Sequence, residues 1–277
     1  MIKHYLKKIL DKCFGWLGFK ILNLDSYFEK TSFYNKKTFY ESLSNSDLHP
    51  KVLKYFIDNQ SQSNSQLCQD LFVTYLMENL DCKFENTFAE FGAADGLYLS
   101  NTKLLEEMGW KGILAEPARH FHFELRNNRK SQITFDAIGP NDKEEVMFIE
   151  TENKSLSTMQ KFVDRDLHTY RRRSGKISQY TVRQISINTF LKHLNSKLTY
   201  LSIDTEGGEY EILLALDWDL FRPKFISVEH NFTNDNSKIE EYMGKMFYHR
   251  LYREFFSFDS FYVIDSAYAE LKQKDLI

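Results

Sequence analysis

A chain of 277 residues with a formal net charge of −3 is long enough for one large domain, or one domain with additions, and carries no global basic footprint for nucleic acid. Hydrophobic residues make up 42% and aromatics 16%, which excludes a disordered chain and predicts an aromatic-rich core. Cys13, Cys68 and Cys82 lie far apart, without CxxC or His-x-His spacing, so neither a disulfide framework nor a zinc site is indicated and a reduced, cytoplasmic compartment suits the chain.

The first 22 residues mix Lys3, Lys7, Lys8 and Lys12 with Ile2, Leu6, Ile9, Leu10 and Phe14, a spacing that predicts a helix with one basic and one apolar face. It is too charged to span a bilayer and lacks the apolar run of a secretory signal. Two readings stay open: a peripheral contact with anionic lipid at the inner membrane face, or an ordinary helix packed on the domain or a partner. Residues 1–60 show short helical patterns between polar runs and read as an N-terminal helical extension, with the main domain over residues 61–277. Residues 67–80 then form an amphipathic pattern leading into the first strand.

Residues 87–117, TFAEFGAADGLYLSNTKLLEEMGWKGILAEP, read as strand, glycine turn, helix, strand and acid. Gly92 and Gly96 bracket a tight turn preceded by Glu90, residues 100–108 carry leucines at helical spacing before Gly109, and residues 113–115 form a second strand ending at Glu116. Glycines let the backbone approach a ligand, and an acid about 20 residues further on accepts hydrogen bonds from ribose hydroxyls while excluding a 2′-phosphate. The turn is Gly-x-x-x-Gly rather than Gly-x-Gly-x-x-Gly, which favours a nucleoside with a short charged tail, such as S-adenosylmethionine, over a dinucleotide.

Alternation continues with a helix over 121–128 and strands over 132–137 and 145–149, implying a parallel sheet. Residues 153–176 are polar and basic and read as a long loop or lid with one helical turn. A strand over 181–185, a helix over 187–194 capped by Asn188, and an apolar strand over 198–203 ending at Asp204 come next. The turn Thr205-Glu206-Gly207-Gly208-Glu209 leads to a helix over 210–215, and a strand over 224–228 ends at Glu229-His230. The aromatic tail, 246–265, predicts a helix and then a terminal strand pair. The architecture is α/β and doubly wound, and ligands in such sheets bind outside the carboxyl ends of the strands, so Glu90, Glu116, Asp204 and Glu229 are expected on one rim.

Asp204 and Glu206, two apart on a glycine-rich turn, suit contact with a substrate hydroxyl or a divalent cation, whereas the plainer reading has Glu206 capping the next helix. His230 is a candidate base because imidazole titrates near neutrality. Asp136 and Ala137 sit where an adenine would find a polar neighbour, or where the strand is merely capped. The basic residues Arg165, His168, Arg171, Arg172, Arg173, Lys176 and Arg183 read as a solvated face or as recognition of an acidic acceptor.

SQLCQDLF at 65–72, the Glu90–Pro117 segment, DAIG at 136–139, LSIDTEGGEYEIL at 201–213 and ISVEHN at 226–231 together resemble the FkbM family of S-adenosylmethionine-dependent methyltransferases over about residues 65–265. Trp110-Lys111-Gly112 and the Ile203 to Glu209 stretch are its more specific parts; the family usually has a small residue such as alanine where Gly208 stands. The resemblance implies a mostly parallel seven-stranded sheet of the Rossmann-like class I methyltransferase kind. It also implies methyl transfer to an oxygen of a sugar, nucleotide-sugar or glycan-linked acceptor. Its cofactor residues are expected to be Glu90, Gly92, Ala93, Asp95, Gly96, Glu116, Pro117, Asp136, Ala137 and Asp204, with Asp204, Glu206 and His230 as catalytic candidates. A divalent metal on Asp204 and Glu229 is the alternative route to activating the hydroxyl. Two rivals remain: an NAD-dependent sugar-modifying enzyme, whose third glycine and Tyr-x-x-x-Lys pair do not accompany this turn, and a non-catalytic binding module in a surface-glycan assembly complex. Nothing in the pattern speaks to an oligomeric state.

Overall fold

The computed structural model describes residues 47–81, 83–165, 168–230, 235–256 and 258–277. The basic amphipathic pattern of residues 1–22 lies outside the described residues, as does Asn231. No helix among the described residues is long and apolar enough to cross a membrane.

Helix α1 (Pro50–Asn59) starts with proline, whose missing N–H is unneeded in a first turn, behind His49, whose Nδ1 accepts from Lys51 N. Although it falls in the stretch read as an extension, Val52 and Phe56 are fully buried, and the Phe56 ring meets Phe72 and Phe255 at 6.1 and 5.5 Å. Phe72 belongs to α2 (Gln69–Asn79), the helix expected before the first strand.

The main sheet contains β1 (Thr87–Phe91), β2 (Lys111–Ala115) and β3 (Gln132–Thr134) on one side. On the other side lie β8 (Tyr200–Ile203), β9 (Phe225–Glu229), β11 (Asp259–Ile264) and β10 (Tyr248–Leu251), giving the order β10-β11-β9-β8-β1-β2-β3. Only β11 runs antiparallel to its neighbours, so the sheet is mostly parallel, as the family resemblance implied. β1 and β8 are buried throughout, which a parallel strand covered on both faces requires. The chain runs outward from β1 to β3 and returns to β8 beside β1. The strand order therefore reverses between β1 and β8, where the carboxyl ends of such strands open a crevice.

A second sheet, ordered β4-β7-β5-β6, holds β4 (Ala137–Gly139), β5 (Lys143–Thr151), β6 (Thr158–Met159) and β7 (Lys176–Ser186). Two expectations change here. The single strand over 132–137 is broken: Thr134 ends pairing with β2, and Ala137 begins pairing with Gln184 of β7. At the break Asp136 accepts a hydrogen bond from Thr134 Oγ1 (2.7 Å) and a two-pronged ion pair from Arg183, which turns the chain out of the main sheet. The strand expected over 145–149 is antiparallel to β7 rather than part of the parallel sheet. Its Phe148 forms, with Ala118, Ala137, Met159 and Phe162, a small separate core.

The helices over the main sheet include α3 (Lys103–Glu107), α4 (His122–Asn128), α6 (Ile187–Leu191), α7 (Glu209–Ala215), α8 (Asp235–Lys245) and α9 (Asp265–Gln273), while α5 (Thr169–Ser174) belongs to the second-sheet region. The cap of α6 differs from expectation. Ser186 Oγ accepts from Thr189 N, whereas the Asn188 amide reaches across to Ala215 O (2.7 Å). A serine two residues earlier already meets the unpaired first-turn amide, which frees Asn188 for a tertiary contact. The helix expected at the start of the tail is not found among the described residues of 246–264: α8 ends before it at Lys245, and the tail opens on β10, which forms the expected strand pair with β11.

Candidate functional site

The chain leaves β1 through Gly92, at φ +74°, with the Gly92 and Ala93 amides on Ala115 O at 3.0 and 3.2 Å. A Cβ on Gly92 would collide with the carbonyl oxygen of Asp204, and Asp204 N in turn donates to Phe91 O (3.2 Å). Gly96, at φ +75°, backs onto the Arg129 and Leu125 side chains. Both glycines are thus required by close protein packing as well as by left-handed backbone. Asp95 closes the turn between them, its carboxylate accepting from Leu97 N (2.9 Å) and Tyr98 N (2.7 Å).

Glu116 follows β2 directly and is buried. One carboxylate oxygen accepts from Ala94 N (2.8 Å) and the other from Ala118 N (2.7 Å), so the side chain fastens the glycine turn to the second strand end. Burial, opposed by these two amides and aided by the charges of Glu150 and Glu90, pushes its pKa up to about 7. Pro117 comes next, its carbonyl facing the Tyr180 hydroxyl.

Glu90 sits below the turn. Its carboxylate takes hydrogen bonds from Ser100 Oγ, Asn101 N (2.9 Å) and Thr102 Oγ1 (2.6 Å) and an ion pair from Arg129 (3.2 Å), buried except for the half-buried Asn101. Arg129 also holds Glu106 at 3.1 Å. A buried arginine at a helix end leaves no mark on hydrophobic periodicity, and the sequence reading did not find it. Asp136 is similarly engaged: burial raises its pKa, but the bonds from Arg183 and Thr134 outweigh that and hold it below the usual carboxylate range. Ala137 is buried at the head of β4.

On the other side of the crevice, Asp204, Glu206 and Glu229 each offer a carboxylate oxygen, all within 4.8 Å of one another. Asp204 and Glu229 hydrogen-bond to each other, and burial pushes both pKa values up. Glu209, Glu116 and Glu90 add to the shift on Asp204, while Asp204, Glu206 and Asp259 add to that on Glu229. Two facing carboxyls cannot both ionise cheaply, so the pair retains a proton toward neutral pH. Their hydrogen bond accounts for the close approach. Glu206, at φ +58°, directs its carboxylate to the fully buried Arg172 of α5. Glu209, the first residue of α7, accepts from Thr205 N (2.9 Å) and Gly207 N (3.0 Å) and so fastens the preceding turn, and the N-cap position considered for Glu206 belongs to Gly208.

His230 is placed differently. Its side chain leaves β9 beyond Glu229, and Nε2 lies 3.2 Å from Asp259 O and 3.3 Å from the Arg250 guanidinium. Burial, then the Arg250 charge, lowers its pKa to about 4, so the ring is neutral. The mutually close group of carboxylates does not include it. Asp259 is an acid the sequence reading missed: it pairs with Glu229 across the β9–β11 ladder, accepts from the buried Gln69 amide, and is pushed to about 7 by burial and by Asp204. It carries no motif of its own, and Gln69 of the SQLCQDLF segment meets it only through the fold.

Most of the basic run is internally paired. Arg173 meets Asp164, Arg165 and Lys161 meet Glu211, and Arg183 meets Asp136.

Seven strands in this order, with one antiparallel strand next to the edge and a glycine turn fastened to an acid at the neighbouring strand end, define the Rossmann-like methyltransferase class. A profile of the methyltransferase FkbM domain matches residues 90–255, and the chain belongs to that family. A search of curated proteins finds no match. Among solved structures, a chain of a fibrillarin/Nop5p complex is 11% identical, with a TM-score of 0.35, over 72% of this chain and 80% of its own length.

Proposed function

We infer that this methyltransferase uses S-adenosylmethionine to methylate a hydroxyl of a sugar, nucleotide-sugar or glycan-linked acceptor. The observation that carries the donor assignment is the state of Glu116: each of its oxygens has a single amide partner, and a carboxylate oxygen accepts two bonds, so both retain a site for a ribose hydroxyl. Ala93, Asp95 and Pro117 border the same turn and would flank the nucleoside. The donor, when bound, supplies an electrophilic methyl on a sulfonium. The protein then has to align an acceptor oxygen and take its proton. Asp204, hydrogen-bonded to Glu229, is suited to that second task, because a carboxyl pushed up to about 7 is a competent base at neutral pH.

The hydroxylated acceptor is supported by the family resemblance and by this acid pair, which an oxygen nucleophile needs. The reading includes a cytoplasmic location, with residues 1–22 either a peripheral membrane contact or a helix packed on the domain or a partner. Titration calorimetry with S-adenosylmethionine, followed by transfer of labelled methyl to a panel of sugars and nucleotide-sugars, tests it. Saturable donor binding and label in a sugar product are expected. Absence of donor binding, or label appearing only in amine or carboxylate acceptors, overturns it.

A further inference from the structure

Arg172 lies in a stretch whose composition reads as solvated, yet none of its surface is exposed. A guanidinium withdrawn from water is tolerated only where anions and carbonyls surround it. Here Nε donates to Leu156 O (2.9 Å) and the fork reaches the Glu206 carboxylate. Neighbouring residues grip the same turn. Thr158 Oγ1, from β6, donates to Glu206 O (2.9 Å). The Phe162 side chain closes over Gly207 and Gly208 so tightly that an added Cβ would come within 2.9 and 3.0 Å of it. Lys161 and Arg165 hold Glu211, in the first turn of α7, at 2.6 and 3.0 Å. Glu206 itself has a left-handed backbone, unfavourable for a residue with a Cβ and maintained only where the surroundings impose it.

We propose that Arg172 is a positioning residue for methyl transfer: by anchoring Glu206 it locks the Thr205–Gly208 turn, so that the adjoining Asp204 is held against Glu229 at the acceptor side of the crevice. The segment between β5 and β7 is then a fixed wall of the site, built onto the acidic turn, and Glu206 is its anchor point rather than the base. The catalytic part of this inference rests on the methyltransferase reading above; the locking of the turn does not.

Four proteins test it: wild type, Arg172→Lys, Arg172→Met and the double variant R172M/E206Q. Each is measured for donor affinity, methyl transfer and amide hydrogen exchange over residues 204–209. The Met variant is expected to keep donor affinity within about threefold and to lose about 100-fold in kcat, the scale of a misplaced reacting group. Exchange in the turn should rise at least about tenfold while the glycine turn at 92–96 stays protected. The double variant lacks both ends of the same contact, so it should lose no more than about threefold beyond R172M, the non-additivity of two residues that act through each other. Lys, keeping the charge without the fork, should fall between wild type and Met, and it carries the test if Met does not fold.

Unchanged kcat in both single variants, or a double variant more than about threefold slower than R172M, overturns the proposal, the second result because Glu206 would then act directly. Equal rises in exchange throughout the domain overturn it too, by reducing Arg172 to general support. A wild type that binds no donor would defeat the functional reading instead, and the exchange data would still decide whether Arg172 locks the turn.

Discussion

The two walls of the crevice handle negative charge in opposite ways. At the glycine turn Glu116 receives backbone amides and Glu90 receives hydroxyls, an amide and Arg129, so each carboxylate faces donors. Across the reversal point Asp204 and Glu229 face each other, with Asp259 and Glu206 adding further negative charge. A wall whose acids are already hydrogen-bonded is preorganised to hold a ligand. Crowded acids resist losing their last proton and are poised to exchange one. Recognition and chemistry are therefore expected to separate along this line, and substitutions on either side should show it.

The largest effect is expected at the crowded wall. Asp204→Asn should lower methyl transfer by about a thousandfold, within the range for loss of a general base, while donor affinity measured by calorimetry changes by less than about threefold. Parallel loss of binding and turnover would erase the contrast. Next comes Gly92→Ala, which forces a Cβ onto the Asp204 carbonyl at a positive φ. It should destabilise the fold by about 3 kcal/mol or more in chemical denaturation, since neither strand end can retreat.

On the recognition wall, Glu116→Ala should weaken donor binding about 100-fold, the equivalent of two hydrogen bonds to a charged group, and affect turnover at saturating donor far less. A smaller effect concerns pH. Glu116 binds its proton more tightly folded than unfolded, so its contribution to stability is present at low pH and disappears as pH rises from about 4.5 through about 7. Relative to wild type, Glu116→Gln should therefore gain on the order of 2 kcal/mol between pH 5 and pH 8 in the absence of donor, as thermal or denaturant unfolding can measure. His230 has the opposite sign. Its pKa is lowered, so the stability tied to it is complete above about pH 6.5 and is lost as pH falls toward 4. The smallest catalytic effect is expected there: His230→Gln should leave methyl transfer within about threefold, because a neutral ring held between Arg250 and Asp259 is a poor base. A hundredfold loss would return the proton to His230.

The wall at Glu116 was the more legible of the two from the chain itself. Its strand, turn, helix, strand and acid are contiguous, and each is written in local chemistry: apolar runs, glycines at positive φ, leucines at helical spacing. The crowded wall draws on β8, β9 and β11, and its weights depend on which acids meet. Glu206 and His230 look equivalent to Asp204 as candidates in sequence, yet Arg172 takes the first and Arg250 the neighbourhood of the second. Asp259 carried no motif of its own and becomes part of the site only through its ladder partner Glu229.

Read without coordinates, the chain determined the doubly wound class, the glycine turn with its acid, the acidic strand ends and, through five separated motifs, the family. Those features follow from periodicity, backbone permissiveness and charge at fixed local spacing. Tertiary structure alone decided that the strand over 132–137 divides between two sheets, that the basic segment is a packed wall with a buried arginine, and which carboxylates share a proton. Such outcomes depend on burial and on partners tens to hundreds of residues away, such as Arg172 with Glu206 and Gln69 with Asp259. A residue's type records what it can bind; only the fold decides what stands opposite it.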